Sequence, residues 1–280
     1  MPTLDRITIY PVKSLDGLDV DECRVLPSGA LENDRRWQLV DMEGRVVNAK
    51  RTPRIHAIRA AFDLDRRRVS LVLGSSASEE FPLVPGPGGP TGWLAEALGQ
   101  RVLLVERADG GFPDDRDAPG PTLVSTATLV EVARWFSLDL AECRRRFRVN
   151  LEVGGCDAFW EDTLASPVRP DLERAAGDLP ADLPADPYAA LPPPEPRAFS
   201  IGEARFRATN VCRRCVVPSR DSRTGAVTEL FREVFEARRR RGLRPDIDAA
   251  TWGTLYRLAV NTQADGVTAT LAVGAAFTAD

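Results

Sequence analysis

Histidine and lysine are almost missing from this 280-residue sequence. His56 is the single histidine, and of 37 basic residues all but Lys13 and Lys50 are arginine. A zinc or iron centre with two or three imidazole ligands is therefore excluded, and any Ser-His-Asp or Cys-His nucleophile would have to run through His56. Long apolar runs are missing too: none approaches the roughly 18 residues that a membrane span needs. Asp5 and Arg6 interrupt the N-terminus where a secretory signal would need an unbroken apolar stretch, so no membrane association and a cytoplasmic location are expected. The 41 acidic residues leave a net charge of −4, which supplies no global field for nucleic acid but leaves room for a local basic pocket. Five cysteines, Cys23, Cys143, Cys156, Cys212 and Cys215, are an odd set. They argue against a secreted disulfide scaffold and for reduced thiols, one or two of them functional.

What is present reads as strand more than helix. Leu4, Ile7 and Ile9 alternate with polar residues over 3–10, and similar short runs follow near 19–26, 36–41, 57–63, 68–73 and 101–106. One short helix is expected around Trp93 to Leu98. The segment 110–121, dense in glycine, proline and aspartate, predicts a linker or an active-site loop. Ser125 or Thr126 can cap a helix, and a second helix should run from about Leu138 into the arginines 144–146. A strand is expected over 146–153. The proline-rich stretch 166–198 fits a surface insertion in extended conformation. Strands resume at 198–209, a charged helix fits 229–241, and β-like runs at 254–261 and 267–277 follow. The fold class expected is α+β, mainly β, with a few peripheral helices.

Several groups could carry chemistry. Cys212 and Cys215 form a CxxC, but Cys143 and Cys156 do not supply a second zinc knuckle, and a strand rather than a helix N-terminus precedes the motif. Two readings stay open: a thiol whose flanking Arg213 and Arg214 favour a thiolate nucleophile or soft-metal ligand, or a buried structural pair. Lys13-Ser14 after the first strand, Asp34-Arg35-Arg36, and Arg146 with Arg148 suit a phosphate or a polar heterocycle. On a strand, period two would set Arg146, Arg148 and Asn150 on one face, which is either such a site or a solvated surface. His56 fits a surface or loop-packing role. Glu161 and Asp162, after Phe159-Trp160, are either an acid/base pair or the first turn of a helix. Arg238 to Arg241 fit the negative end of a helix dipole.

In this order YPVKS (10–14), NDRRWQLVD (33–41), LVSTATL (123–129), RFRVNLEVGGCDAFWED (146–162), VCRRCVVPSRDSRTG (211–225) and AVNTQADG (259–266) resemble the MOSC proteins that carry a MOSC N-terminal β-barrel domain. That group includes the mitochondrial amidoxime reducing component and its bacterial counterparts. The resemblance implies two β-rich domains, an N-terminal β-barrel-like domain over 1–115 and a MOSC β-barrel over 116–280. It implies a molybdenum cofactor, Mo-molybdopterin, with Cys215 as the protein ligand to the metal. It also places Lys13, Ser14, Arg35, Ser125, Arg148, Asn150 and Arg214 at cofactor contacts. The activity implied is reduction of small N-oxygenated compounds (hydroxylamines, amidoximes, N-hydroxylated bases), with Asp157 or Asp162 moving protons. Electrons would come from an external donor, a flavin reductase or a [2Fe-2S] protein. The alternative is a carrier or sulfur-transfer protein without its own turnover. Departures from the family pattern are Val149 and Ser222, each standing where proline is common, and the proline-rich stretch.

Overall fold

The structure is a computed structural model that describes residues 1–115, 117–165, 197–244, 247 and 249–279. The expected insertion at 166–198 lies outside the described residues except for its last two positions. Among the described residues there are sixteen strands: β1 Thr3–Ile9, β2 Leu18–Val20, β3 Glu22–Val25, β4 Trp37–Val40, β5 Val46–Val47, β6 Ile58–Asp63, β7 Arg68–Leu73, β8 Glu79–Pro82, β9 Leu103–Glu106, β10 Leu123–Ser125, β11 Leu151–Gly154, β12 Ala198–Ile201, β13 Ala204–Arg213, β14 Arg257–Ala264, β15 Ala269–Ala272 and β16 Phe277–Ala279. With them are helices α1 Thr91–Leu98, α2 Thr126–Trp135, α3 Leu140–Phe147, α4 Asp162–Ala165 and α5 Phe231–Arg241. The chain is thus α+β and mainly β, and no helix among the described residues is long and apolar enough to cross a membrane.

The largest sheet has eight strands in the order β16-β12-β13-β14-β10-β11-β1-β2. Its edges, β16 and β2, do not pair with each other. The start of β1 nevertheless bonds back to the approach to β16, the Leu4 amide donating to the Ala275 carbonyl at 2.9 Å and the Phe277 amide to the Pro2 carbonyl at 3.0 Å. The strand ends therefore meet without the complete ladder of a closed barrel. Strand β1 is drawn into it because its alternation sends Leu4, Ile7 and Ile9 into the same core as Leu151 and Val153 of β11. The N-terminal strand therefore lies beside a strand some 150 residues later in the chain, and β3 likewise pairs with β15. Two three-stranded sheets, β5-β4-β9 and β6-β7-β8, enclose a second core around Trp37, Ile58, Leu71 and Leu104. A third core lies under α2, α3 and α5, where Phe147, Phe231 and Phe235 pack with Tyr256.

One element departs from expectation. The strand foreseen over 146–153 starts only at Leu151, because α3 continues through Phe147. Asp139 caps that helix by accepting from the Glu142 amide at 2.5 Å, and Glu142 pairs with Arg146 one turn on at 2.7 Å. Cys143 and Phe147, four apart, turn into the core together. Arg148 then closes the helix in the left-handed region (φ 54°), and its amide donates to the Arg144 carbonyl at 2.8 Å. Arg146, Arg148 and Asn150 share no strand face.

Candidate functional site

A cavity of about 390 Å³ opens where the two halves of the chain meet. Its walls come from the turn after β1 (Lys13, Ser14), the approach to β4 (Asp34, Arg35), the segment after β5 (Asn48 to Lys50), the loop 110–120 and the end of α3. Asn210 to Cys215 and Asn261 complete it. Both lysines of the chain line it, together with Arg35, Arg146, Arg148, Arg213 and Arg214, against three carboxylates, Asp34, Asp114 and Asp115. A molecule that is acidic overall thus carries an excess of positive charge in this concavity, as suits a polyanionic or phosphorylated ligand.

The backbone that presents these groups is bent sharply. Ser14 (φ 74°), Arg35 (φ 50°) and Arg148 (φ 54°) all lie in the left-handed region, a conformation that costs a side-chain-bearing residue roughly 1–2 kcal/mol. At Arg35 the bend is held by its own amide, which donates to the Tyr10 carbonyl at 2.8 Å. The Tyr10 amide in turn donates to Asp34 Oδ1 at 2.8 Å. Ser14 is fixed across the cavity floor, its Oγ accepting from the Ala49 amide at 3.1 Å. Gly111 (φ 61°) lets the 110–120 loop pass close by, since a Cβ there would sit 2.5 Å from the Asp34 carbonyl oxygen.

Charges are paired unequally. Arg35 pairs with Asp34 and reaches Asp114 at 3.6 Å, while Lys13 Nζ lies 2.8 Å from Asp114. Burial would raise the Asp114 carboxyl, but Arg35 and Lys13 outweigh it and hold the group well below the usual carboxylate range. Burial would also weaken the Arg35 charge, yet Asp34 and Asp114 raise its proton affinity further. Arg148 is different. Its guanidinium stacks 4.1 Å from the centre of the Tyr10 ring, close to Arg35, and no ion pair reaches it among the described residues. Burial and then the Arg35 charge depress its proton affinity, so its positive charge is poised to gain from an incoming anion.

On the opposite wall stand two thiols. Cys215 is half-buried, and Cys212 is buried, with its Sγ 2.7 Å from Asn261 Oδ1. Burial pushes the Cys212 thiol up to about 11, with Arg214 acting against the rise. The Asn261 amide donates to Asp115 Oδ2 at 3.2 Å and to Asn210 Oδ1 at 3.1 Å, linking the Cys212 wall to the 110–120 loop. Arg214 donates to the Phe147 carbonyl and is thereby turned toward the end of α3.

Of the expected contacts, Lys13, Ser14, Arg35, Arg148, Asn150, Arg214 and Cys215 are brought together in this cavity. Asn150 is committed internally: its Oδ1 accepts from Thr122 and, at 3.3 Å, from Arg35, and its Nδ2 donates to the Thr8 carbonyl at 3.0 Å. It orders the strand ends that present Arg35 and Arg148. Ser125, Asp157 and Asp162 are not in the lining. Ser125 is the fully buried cap of α2, accepting from the Thr128 amide at 3.0 Å and donating to the Asp157 carbonyl at 3.0 Å. Asp162, also buried, pairs with Arg239 at 2.5 Å beneath Phe159. The first turn of a helix is thus the part of the Phe159–Asp162 reading that the geometry supports, because the packing of α5 against α2 and α4 turns those carboxylates away from the cavity.

His56, also outside this lining, is buried against the Gly225 turn, as a loop-packing residue. Ser222 has gained a use that proline could not have: its amide and hydroxyl both donate to Glu142, at 2.9 and 2.6 Å. Unforeseen in the site are Asn48, Lys50, Asp114, Asp115, Asn210 and Asn261. The turn-dense loop and the motif blocks marked the segments holding half of them, Asp114, Asp115 and Asn261, but not the side chains.

Residues 1–86 match the family model of the MOSC N-terminal beta barrel domain. Molybdenum cofactor sulfurase of Drosophila erecta is 26% identical over 253 residues, covering 80% of this chain and 28% of its own length. The sulfurase of Danio rerio is 25% identical over 264 residues (84% and 30%), and that of Homo sapiens 22% over 263 residues (82% and 28%). The chain therefore spans less than a third of these relatives. The solved YUAD protein of Bacillus subtilis aligns with 99% of this chain and 94% of its own, at 10% identity and a TM-score of 0.38, too slight a likeness to argue from. The similarity to the MOSC N-terminal beta barrel domain family thus covers residues 1–86, and that to the molybdenum cofactor sulfurases about four-fifths of the chain.

Proposed function

We propose that this chain binds Mo-molybdopterin in the cationic cavity and reduces small N-oxygenated compounds there, with Cys215 as the protein ligand to molybdenum. The observation that carries this reading is the unpaired Arg148 guanidinium in the same cavity as a half-buried thiol. A half-buried cation that no ion pair reaches among the described residues gains from an anionic ligand, and a thiol beside arginines suits a soft, high-valent metal. Among the described residues no group of three or more His, Cys, Asp and Glu side chains could hold a metal by itself. A ligand-bearing organic cofactor supplies what the protein's donor set lacks.

In this reading Lys13, Arg35 and Arg148 grip the terminal phosphate, and Arg214, anchored on Phe147, presents Cys215. Asn150 and Asn261 hold the walls in register. When bound, the cofactor would supply the two-electron chemistry that removes the nitrogen-bound oxygen, with an external flavin or [2Fe-2S] donor restoring the electrons. Asp115, held by Asn261, takes the proton-moving role first assigned to Asp157 and Asp162. The sulfurase relatives and the second thiol, Cys212, favour one other reading, a carrier or sulfur-transfer protein. Turnover separates the two: a carrier binds the cofactor and shows no multiple-turnover reduction.

The decisive experiment is metal and pterin analysis after expression in a molybdenum-competent host, followed by reduction of benzamidoxime with a chemical donor. Near-stoichiometric molybdenum is expected, with both turnover and bound metal lost in Cys215→Ser while the fold is retained. Undiminished turnover in that variant overturns the ligand assignment.

A further inference from the structure

The two cations best placed to take a phosphate are already holding an anion. Asp114 puts one carboxylate oxygen 2.8 Å from Lys13 Nζ and the other 3.6 Å from Arg35 Nε. Lys13 also donates to the Phe112 carbonyl at 3.1 Å, and the Phe112 amide donates to the Arg35 carbonyl at 2.9 Å, so the segment 110–115 is laid along the cationic wall. Its next residue, Asp115, is tied to Asn261 on the wall that carries the thiols. Adjacent carboxylates thus fasten one loop to both sides of the cavity. The Asp114 side chain remains 57% exposed, whereas Lys13 and Arg35 are 17% and 12% exposed. The carboxylate is therefore the partner open to exchange with water, while the cations stay in place.

We propose that Asp114 is a built-in competitor for the phosphate end of the ligand, occupying Lys13 and Arg35 until an anion displaces its carboxylate. The proposal rests on the reading of Lys13 and Arg35 as the phosphate grip. Its physical basis is that a monovalent carboxylate on a partly exposed loop contributes about 1 kcal/mol or less per contact, which a phosphate dianion with three acceptor oxygens can exceed on the same two donors. The exchange needs no new cation. It keeps Lys13, whose ion pair among the described residues is with Asp114, from being left uncompensated in the ligand-free chain, Arg35 being paired with Asp34 as well.

The test uses inorganic phosphate and the full chain, with binding followed by titration calorimetry at low ionic strength. Asp114→Asn and Asp114→Ala should bind phosphate about three- to tenfold more tightly than the parent chain, the gain expected when a competitor of about 1 kcal/mol is removed. Asp117→Asn, on the same loop but outside the cavity lining, removes the same charge without touching Lys13 or Arg35 and should change affinity by less than about twofold. Unchanged or weaker binding in both Asp114 variants, an equal gain in Asp117→Asn, or no binding by any chain overturns the proposal. Molybdenum and pterin content of the parent chain is measured separately. Stoichiometric loading with no gain in the Asp114 variants sinks the competitor and leaves the functional reading standing, whereas phosphate exchange in a chain that never loads the cofactor does the reverse.

Discussion

At the scale of single residues, the clearest result is that buried charge has two uses in this chain. Around the cavity, charge is left incompletely paired at Arg148. Under Phe159 it is packed away: Asp162, Arg239 and Glu161 are all essentially inaccessible, Arg239 pairs with Asp162, and Glu161 Oε2 accepts from the Ser125 amide and the Thr128 hydroxyl. Burial and the neighbouring Asp162 charge raise the Glu161 carboxyl well above its ordinary range. A carboxyl raised in the folded state binds more protons there than in the unfolded chain. Its contribution is therefore greatest at acid pH and falls as pH climbs from the ordinary carboxylate range through the raised value. Denaturant titrations between pH 5 and 9 should show stability declining over that interval, and Glu161→Gln should flatten the decline; an unchanged slope would remove Glu161 as its source. Arg239→Met, which strands Asp162, should cost about 3–5 kcal/mol in the same assay.

At the scale of elements, caps decide which expected residues reach the site. Ser125 was placed at the cofactor by resemblance, but its hydroxyl terminates α2 and is enclosed by Thr128 and the Asp157 carbonyl. Ser125→Ala should lower stability by about 1–2 kcal/mol in chemical denaturation while leaving molybdenum content unchanged. Arg148 ends α3 in the left-handed region, where glycine fits without strain. Arg148→Gly should melt within about 1 kcal/mol of the parent yet bind phosphate markedly more weakly, which separates its conformation from its charge. The strand misplaced over 146–150 has the same origin. Alternating Arg-Phe-Arg-Val-Asn satisfies a period of two, but the Asp139 cap and the Glu142–Arg146 pair extend the helical period of 3.6 into it. Local pattern could not rank the two, since the deciding contacts lie with Ser222 and Thr228, some 80 residues downstream.

At the scale of the molecule, the chain's first strand serves the second half's sheet. Strand β1 runs against β11, and β3 runs against β15, so residues 116–280 expressed alone would expose the β11 edge with Leu151 and Val153 uncovered. That fragment should be insoluble or unfolded by circular dichroism, and a soluble, cooperatively melting fragment would show that the halves fold independently. The same interlacing puts the cavity at their junction, which is why Lys13 and Arg35 from one half meet Arg148 and Cys215 from the other.

Composition excluded imidazole-built centres, periodicity located most strands and the helices α1, α2, α3 and α5, and motif order assigned the cysteine and the basic residues to one kind of site. Those are properties of local pattern and residue chemistry, which a linear sequence carries in full. The tertiary structure alone decided that Ser125, Asp157 and Asp162 face away, that Lys50, Asn261 and Asp114 face in, and that the first strand joins the sheet of the second half. Each of these depends on which distant segment packs against which, and hence on contacts between groups the sequence keeps far apart.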